Sequence, residues 1–131
     1  MQYLLGLFLA AHGLIHASYL SRVPPDAGWN WPFDMSRSWL VASLGLDTGL
    51  VRVLGIVLIA ITVVGYLVAA AAAVGLAGSL WQPAVVLASV ASVALLVLCF
   101  HPWIVLGFAI DAVLLWAVLA AAFHPSSLLG R

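Results

Sequence analysis

Apolar residues in this chain come in long unbroken runs, not in the alternating or three-to-four spacing of an element with one wet face. Four runs stand out, at 3–20, 50–76, 83–100 and 103–123. A helix crossing a hydrocarbon core of ~30 Å needs about 20 residues, within a range of roughly 17–25. The runs match that length, the third being the shortest and the second long enough to tilt. Inside lipid every backbone amide and carbonyl must be paired within its own segment. Each run is therefore predicted to be helical, including the Val- and Ile-rich stretches 51–64 and 85–97, which would be strand candidates in water.

Helix breakers and polar residues fall between the runs. Pro24, Pro25, Gly28 and Pro32 stop the first helix, and the same segment carries Trp29, Trp31, Phe33 and Trp39, aromatic residues of the kind that settle at headgroup level. This loop is expected to lie on the membrane surface, with a short interfacial helix over 36–44. Asp47 or Thr48 is placed to cap the second helix. Gly78 and Ser79 precede Pro83 in the first turn of the third, Pro102 opens the fourth, and Pro125 follows its end. No internal repeat or linker divides the chain. The pattern predicts an all-α fold: an integral membrane four-helix bundle over 1–131, one transmembrane domain with an interfacial Trp- and Pro-rich loop between the first two helices.

Composition agrees. Of 131 residues 66% are hydrophobic and 6% charged, against roughly 25% charged in soluble domains. The net charge is zero and no basic run exists, which argues against nucleic-acid partners. The single cysteine, Cys99, cannot form an intrachain disulfide, and without a C-x-x-C pair a thiol-oxidoreductase reading has no support. It reads as a small core residue. Residues 3–15 resemble the apolar region of a secretory signal, but only Gln2 stands where basic residues are wanted. His12 and His16 suit a retained helix, so retention is expected.

Four crossings place both ends on one side, here side A, and the long loop and the His101–Pro102 turn on the other, side B. Arg22, Arg37 and Arg52 fall on side B and Arg131 on side A. The positive-inside rule then favours a cytoplasmic side B and extracytoplasmic ends, with insertion in both directions left open by so small a bias. These arginines are expected to anchor at headgroups or to pair with Asp26, Asp34 and Asp47. Gly65, Ala69 and Ala73 on the second helix, and Ala84, Ala88 and Ser92 on the third, are small residues every fourth position. They favour a tight hairpin of these two helices over a dimerisation face.

The residues that do not belong in lipid are the candidate chemistry. His12 and His16 are four apart and share one helical face, with Tyr19 three further along the stripe. At ~1.5 Å per residue, His12 lies roughly 12 Å below side B, and Asp111 and Ser92 reach the same level from the fourth and third helices. An unpaired Asp at a helix centre costs roughly 2.5–3.5 kcal/mol, so a His12–Asp111 interaction is expected, with His16 nearer the surface. Polar fastening between helices is one reading of this group. Metal binding by His12, His16 and Asp111 is another, as a two-histidine, one-carboxylate set. A haem would need histidines facing each other across helices, for which His16 and His101 are nearest in depth. Proton or ion handling is a further reading, since intramembrane Asp and His serve proton relays. The last is a quinone or lipid pocket near side B, lined by His16, Tyr19 and the loop tryptophans. His101 and His124 each precede a proline and read as polar residues at helix boundaries. Trp81 and Trp103 read as interface anchors, and Trp116 as packed in the bundle or against lipid.

The stretch from Ala10 to His16, with its His12-Gly13-Leu14-Ile15-His16, and the stretch from His101 to Asp111 resemble a group of small bacterial four-helix membrane proteins, broadly similar to the DoxX-like proteins. The resemblance covers these two short segments, about a seventh of the chain. It implies a four-helix bundle in a bacterial inner membrane and no particular activity, so it assigns no catalytic residue. The first helix has no Glu, which disfavours a small multidrug exporter, and nothing resembles a fluoride-channel signature. The expected function is a non-catalytic accessory, structural or small-ligand-binding membrane component, alone, as a homo-oligomer or in a larger complex. Its rivals are a redox protein holding haem, metal or quinone, and a proton-coupled transporter acting as an oligomer.

Overall fold

The computed structural model describes residues 1–26 and 31–129; Gly28, Trp29 and Arg131, which figure in the sequence reading, lie outside them. Among the described residues the chain is all-helical. Helix α1 (Gln2–Ile15) tightens into a 3-10 segment, His16–Leu20. The short α2 (Trp39–Leu44) follows a 3-10 turn over Met35–Arg37. Then come α3 (Thr48–Ala73), α4 (Trp81–Leu98) and α5 (Val105–Leu119). With their 3-10 extensions, α1, α3, α4 and α5 are each long and apolar enough to cross a membrane.

The helix ends follow local chemistry. Asp47 caps α3, its carboxylate accepting from the Leu50 amide at 2.9 Å. The predicted run to Leu76 stops at Ala73, and Gly75 takes a left-handed φ of 92°, which other residues rarely adopt. The last helix stops at Leu119, short of the predicted Phe123. There the chain folds back, and the Trp81 indole donates to the Phe123 carbonyl at 2.9 Å. Trp81 is thereby drawn into the core at 1% exposure, which corrects its expected role as an interface anchor. Trp103 and Trp116 do face outward, at 71% and 65%.

The side B loop closes over the end of α4. The last carbonyls of any helix lack intrahelical donors. Here the Ser38 hydroxyl donates to Leu98 O and the Trp39 indole to Val97 O, each at 2.6 Å. Trp39 is thus a cap across the loop as well as an aromatic at the predicted surface. Arg37 pairs with Asp34 at 3.2 Å.

The small-residue stripes of α3 and α4 face inward: Ala69, Ala73, Ala84, Ala88 and Ser92 are all buried. A Cβ built on Gly65 would stand 2.8 Å from that of Ala88, so the hairpin is as close as its backbones allow. Two apolar clusters result. One, on the side A half, gathers Leu9, Ala69, Ala73, Trp81, Val85 and Leu114; the other, toward side B, gathers Tyr19, Val51, Ile59, Leu95, Leu98 and Cys99. Large apolar side chains such as Leu7, Val57, Leu87, Leu106 and Val113 stand on the outer surface. Surface of that kind over a whole bundle suits lipid rather than water.

Candidate functional site

Between the two apolar clusters lies a polar layer. Asp111 on α5 is fully buried, at 0% exposure. His12 on α1 donates from Nε2 to Asp111 Oδ1 over 3.1 Å, and the Tyr66 hydroxyl on α3 donates to the same oxygen over 2.5 Å. Ser92 on α4 donates to Oδ2 over 2.5 Å. One carboxylate thus takes bonds from three other helices, so all four long helices meet at it. The layer extends one partner further on each flank. Ser92 Oγ lies 2.8 Å from His16 Nε2, and Tyr66 Oη lies 2.9 Å from Ser89 Oγ.

The histidine rings are held as firmly as the carboxylate. His16 Nδ1 donates to the His12 carbonyl at 3.0 Å, bonding back along its own helix. The His12 ring meets Tyr66 edge-on at 4.9 Å and stacks on Phe8 at 6.0 Å. Gly13 makes this approach of α1 to α3 feasible: a Cβ there would stand 2.7 Å from the Cβ of Tyr66. Only glycine lets the two backbones come so near at that point.

Of the residues singled out in the sequence, His12, His16, Ser92 and Asp111 are brought together. Tyr19 is not. It stays buried, one 3-10 turn and so about 6 Å beyond His16 along the axis. There it packs with Val51, Leu98 and Cys99 and meets Phe33 edge-on at 5.2 Å. Tyr66 and Ser89 are members that sequence reasoning missed. Tyr66 lies some sixteen residues from Leu50, roughly 24 Å by helical rise, which places it well past the His12 level. Its reach of a full phenol ring and the length of α3, 26 residues, defeat a count of that kind. Ser89 carried a readable signal, being three residues from Ser92 and so on the same face of α4.

The donor set decides what the layer can hold. A metal ligand needs a ring nitrogen with a free lone pair. Both His16 nitrogens are committed to partners, and His12 Nε2 is turned onto Asp111. Among the described residues no group of three or more His, Cys, Asp and Glu is arranged to hold a metal ion. The candidate set of His12, His16 and Asp111 therefore does not fit a metal, because the members bind one another. In the His16–His101 pair, both His16 nitrogens are committed to partners, and His101 Nδ1 accepts from the Trp103 amide at 3.2 Å. His124 bonds Ser126 and the Gly78 carbonyl, as a residue at a helix boundary would.

A separate cavity of about 600 Å³ opens near side B. It is lined by Tyr19, Arg22, Phe33, Asp34, Thr48 and Arg52 among others, mixing apolar walls with charged groups of both signs. Of the residues expected to line a pocket near side B, Tyr19 lines this cavity and His16 does not. Trp31 does not line it either, and Trp29 lies outside the described residues. Compared with known proteins, the chain matches no family model, no curated protein and no solved structure.

Proposed function

We propose that this chain is a small multi-pass membrane protein acting as a non-catalytic component, an accessory or structural unit whose bundle is locked by the His12–His16–Tyr66–Ser92–Asp111 layer. One observation carries the reading: the only buried carboxylate among the described residues takes its hydrogen bonds from three other helices. That the members of the layer bond one another supports fastening over a metal or haem site. The exposed apolar shell supports a place in lipid, and the resemblance to small DoxX-like proteins supports a bacterial inner membrane. The arginine bias supports extracytoplasmic ends. Assembly as a homo-oligomer or within a larger membrane complex fits a bundle of 131 residues.

The side B cavity favours a second reading on the same fold, a binder of small amphiphiles. Arg22 and Arg52 stand at an apolar wall, and Asp34, which shares the lining, is paired with Arg37, so the cavity suits an anionic head with a hydrocarbon tail.

The test of the first reading is an absorption spectrum, a metal analysis and a proton-flux assay on the protein purified in mild detergent and returned to liposomes. A colourless, metal-free bundle without flux is expected. A Soret band, or stoichiometric metal lost in His12→Ala, would replace this reading with a redox protein. Flux abolished by Asp111→Asn would replace it with a transporter.

A further inference from the structure

Counting donors and acceptors in the polar layer fixes more than its shape. A serine hydroxyl has one proton, a carbonyl oxygen only accepts, and a neutral imidazole carries one N–H. His16 Nδ1 faces the His12 carbonyl and must therefore bear a proton. Ser92 Oγ touches both Asp111 Oδ2 and His16 Nε2, and its one proton serves a single neighbour. If Asp111 is ionised, Ser92 must donate to it, and His16 Nε2 must then donate to Ser92. His16 is in that case an imidazolium. If His16 is neutral, Ser92 must donate to Nε2, and Asp111 must then carry a proton on Oδ2 and donate it to Ser92. Removing the proton from both leaves Ser92 with one hydrogen for two acceptors, at contacts of 2.5 and 2.8 Å.

The other groups at the layer leave this count unchanged. From α1 come His12, donating to Oδ1, and His16; from α3 comes Tyr66, donating to Oδ1; α4 offers only the hydroxyls of Ser89 and Ser92; and α5 offers Asp111. His12 cannot carry the extra proton in place of His16. With His12 charged, Asp111 ionised and His16 neutral, one of the two contacts of Ser92 again faces lone pair to lone pair.

We propose that Asp111, Ser92 and His16 form a proton-binding site that holds one mobile proton, passed between the carboxyl and the imidazole through the serine hydroxyl. The transfer is balanced in two hops. The Asp111 Oδ2–H bond breaks as a new Ser92 Oγ–H bond forms, and the original Ser92 Oγ–H bond breaks as His16 Nε2–H forms. The layer stays neutral overall and changes from two uncharged groups to an ion pair. The apolar clusters on either side keep water from competing for that proton. The proposal rests on the fastened layer of the preceding section and adds to it a ligand, the proton, and a direction of travel from α5 to α1.

Two spectroscopic readouts test it on the whole chain in lipid: nitrogen NMR of the labelled His16 ring and the infrared carbonyl stretch of a protonated carboxyl, assigned with Asp111→Asn. At neutral pH the fraction of His16 carrying two N–H protons should equal the fraction of ionised Asp111. Ser92→Ala should abolish that equality, and Ser92→Thr, which keeps the hydroxyl, should retain it. Ionised Asp111 beside neutral His16 in the wild type would overturn the proposal. So would protonated Asp111 beside an imidazolium, or an equality unaffected by Ser92→Ala. The wild-type spectra decide even where a Ser92 variant does not fold. Failure of the fastening itself appears separately, as unfolding stability unchanged when Asp111 is removed.

Discussion

A carboxyl group carried to the middle of a hydrocarbon layer costs roughly 2.5–3.5 kcal/mol. Asp111 meets that cost with three interhelical hydrogen bonds, each contributing about 0.6–2 kcal/mol in a membrane. The two sums are of one size, so the carboxyl persists because its partners are present. Removing the Tyr66 hydroxyl as Tyr66→Phe deletes one bond to Asp111 and leaves Ser89 without its phenol partner. Unfolding in detergent should show a loss of about 1–2 kcal/mol. Cys99 makes a contrasting case. It is buried in the cluster toward side B, packed with Tyr19 and Leu98, where a bulky reagent cannot reach the sulfur. A maleimide should label Cys99 slowly in the folded bundle and quickly once it is unfolded. Much at this scale was legible in the sequence: His12, Ser92 and Asp111 declared themselves by polarity and shared depth, while His16, expected nearer the surface, is drawn into the layer by Ser92. Tyr66 was not legible, because a phenol in an apolar run looks like packing, and its level cannot be counted along a helix of unknown tilt.

Elements meet where side chains are smallest. Gly13 sets the distance between α1 and α3, and Gly65 the distance between α3 and α4. A methyl at Gly13 would need about half an ångström or more of relief against the Tyr66 Cβ, and Tyr66 anchors the polar layer. Gly13→Ala should cost about 1–3 kcal/mol by overpacking, and it should shift the fluorescence or hydrogen-bond signature of Tyr66. An alanine at the solvent-side Gly78, where a Cβ meets nothing, should leave both unchanged. The loop shows the same dependence in another form. Ser38 and Trp39 supply the donors that the carbonyls of Leu98 and Val97 lack. Trp39→Phe keeps the aromatic ring but loses the cap, and amide exchange at the end of α4 should quicken while the rest of the bundle is unaffected. The sequence located α2 and narrowed the cap of α3 to Asp47 or Thr48, because Ser, Asp and Pro mark helix starts locally. It did not reveal that Trp39 and Trp81 each bond a distant carbonyl, since such pairings across 58 and 42 residues arise only when the helices assemble.

At the scale of the molecule, four long apolar helices were readable from run length alone, because lipid removes every alternative to the helix. Their mutual arrangement was readable only where polarity forced it, at the level of Asp111. The result is a bundle with apolar surface outside, two apolar clusters inside and one polar layer between them. Such a layer can exist to hold helices together or to serve some activity at a cost in stability. Replacing a whole buried pair by well-packed apolar residues is often neutral or stabilising, whereas removing one partner alone strands the rest. A layer that fastens the bundle loses stability when Asp111 alone is removed, because three donors are left without their acceptor. The most direct measurement is therefore the unfolding free energy, in detergent or lipid, of the wild type against Asp111→Leu. Fastening predicts a loss of about 2–4 kcal/mol, from the stranded His12, Tyr66 and Ser92 donors less the relief of burying a carboxyl. A variant as stable as the wild type, or more stable, would contradict the account.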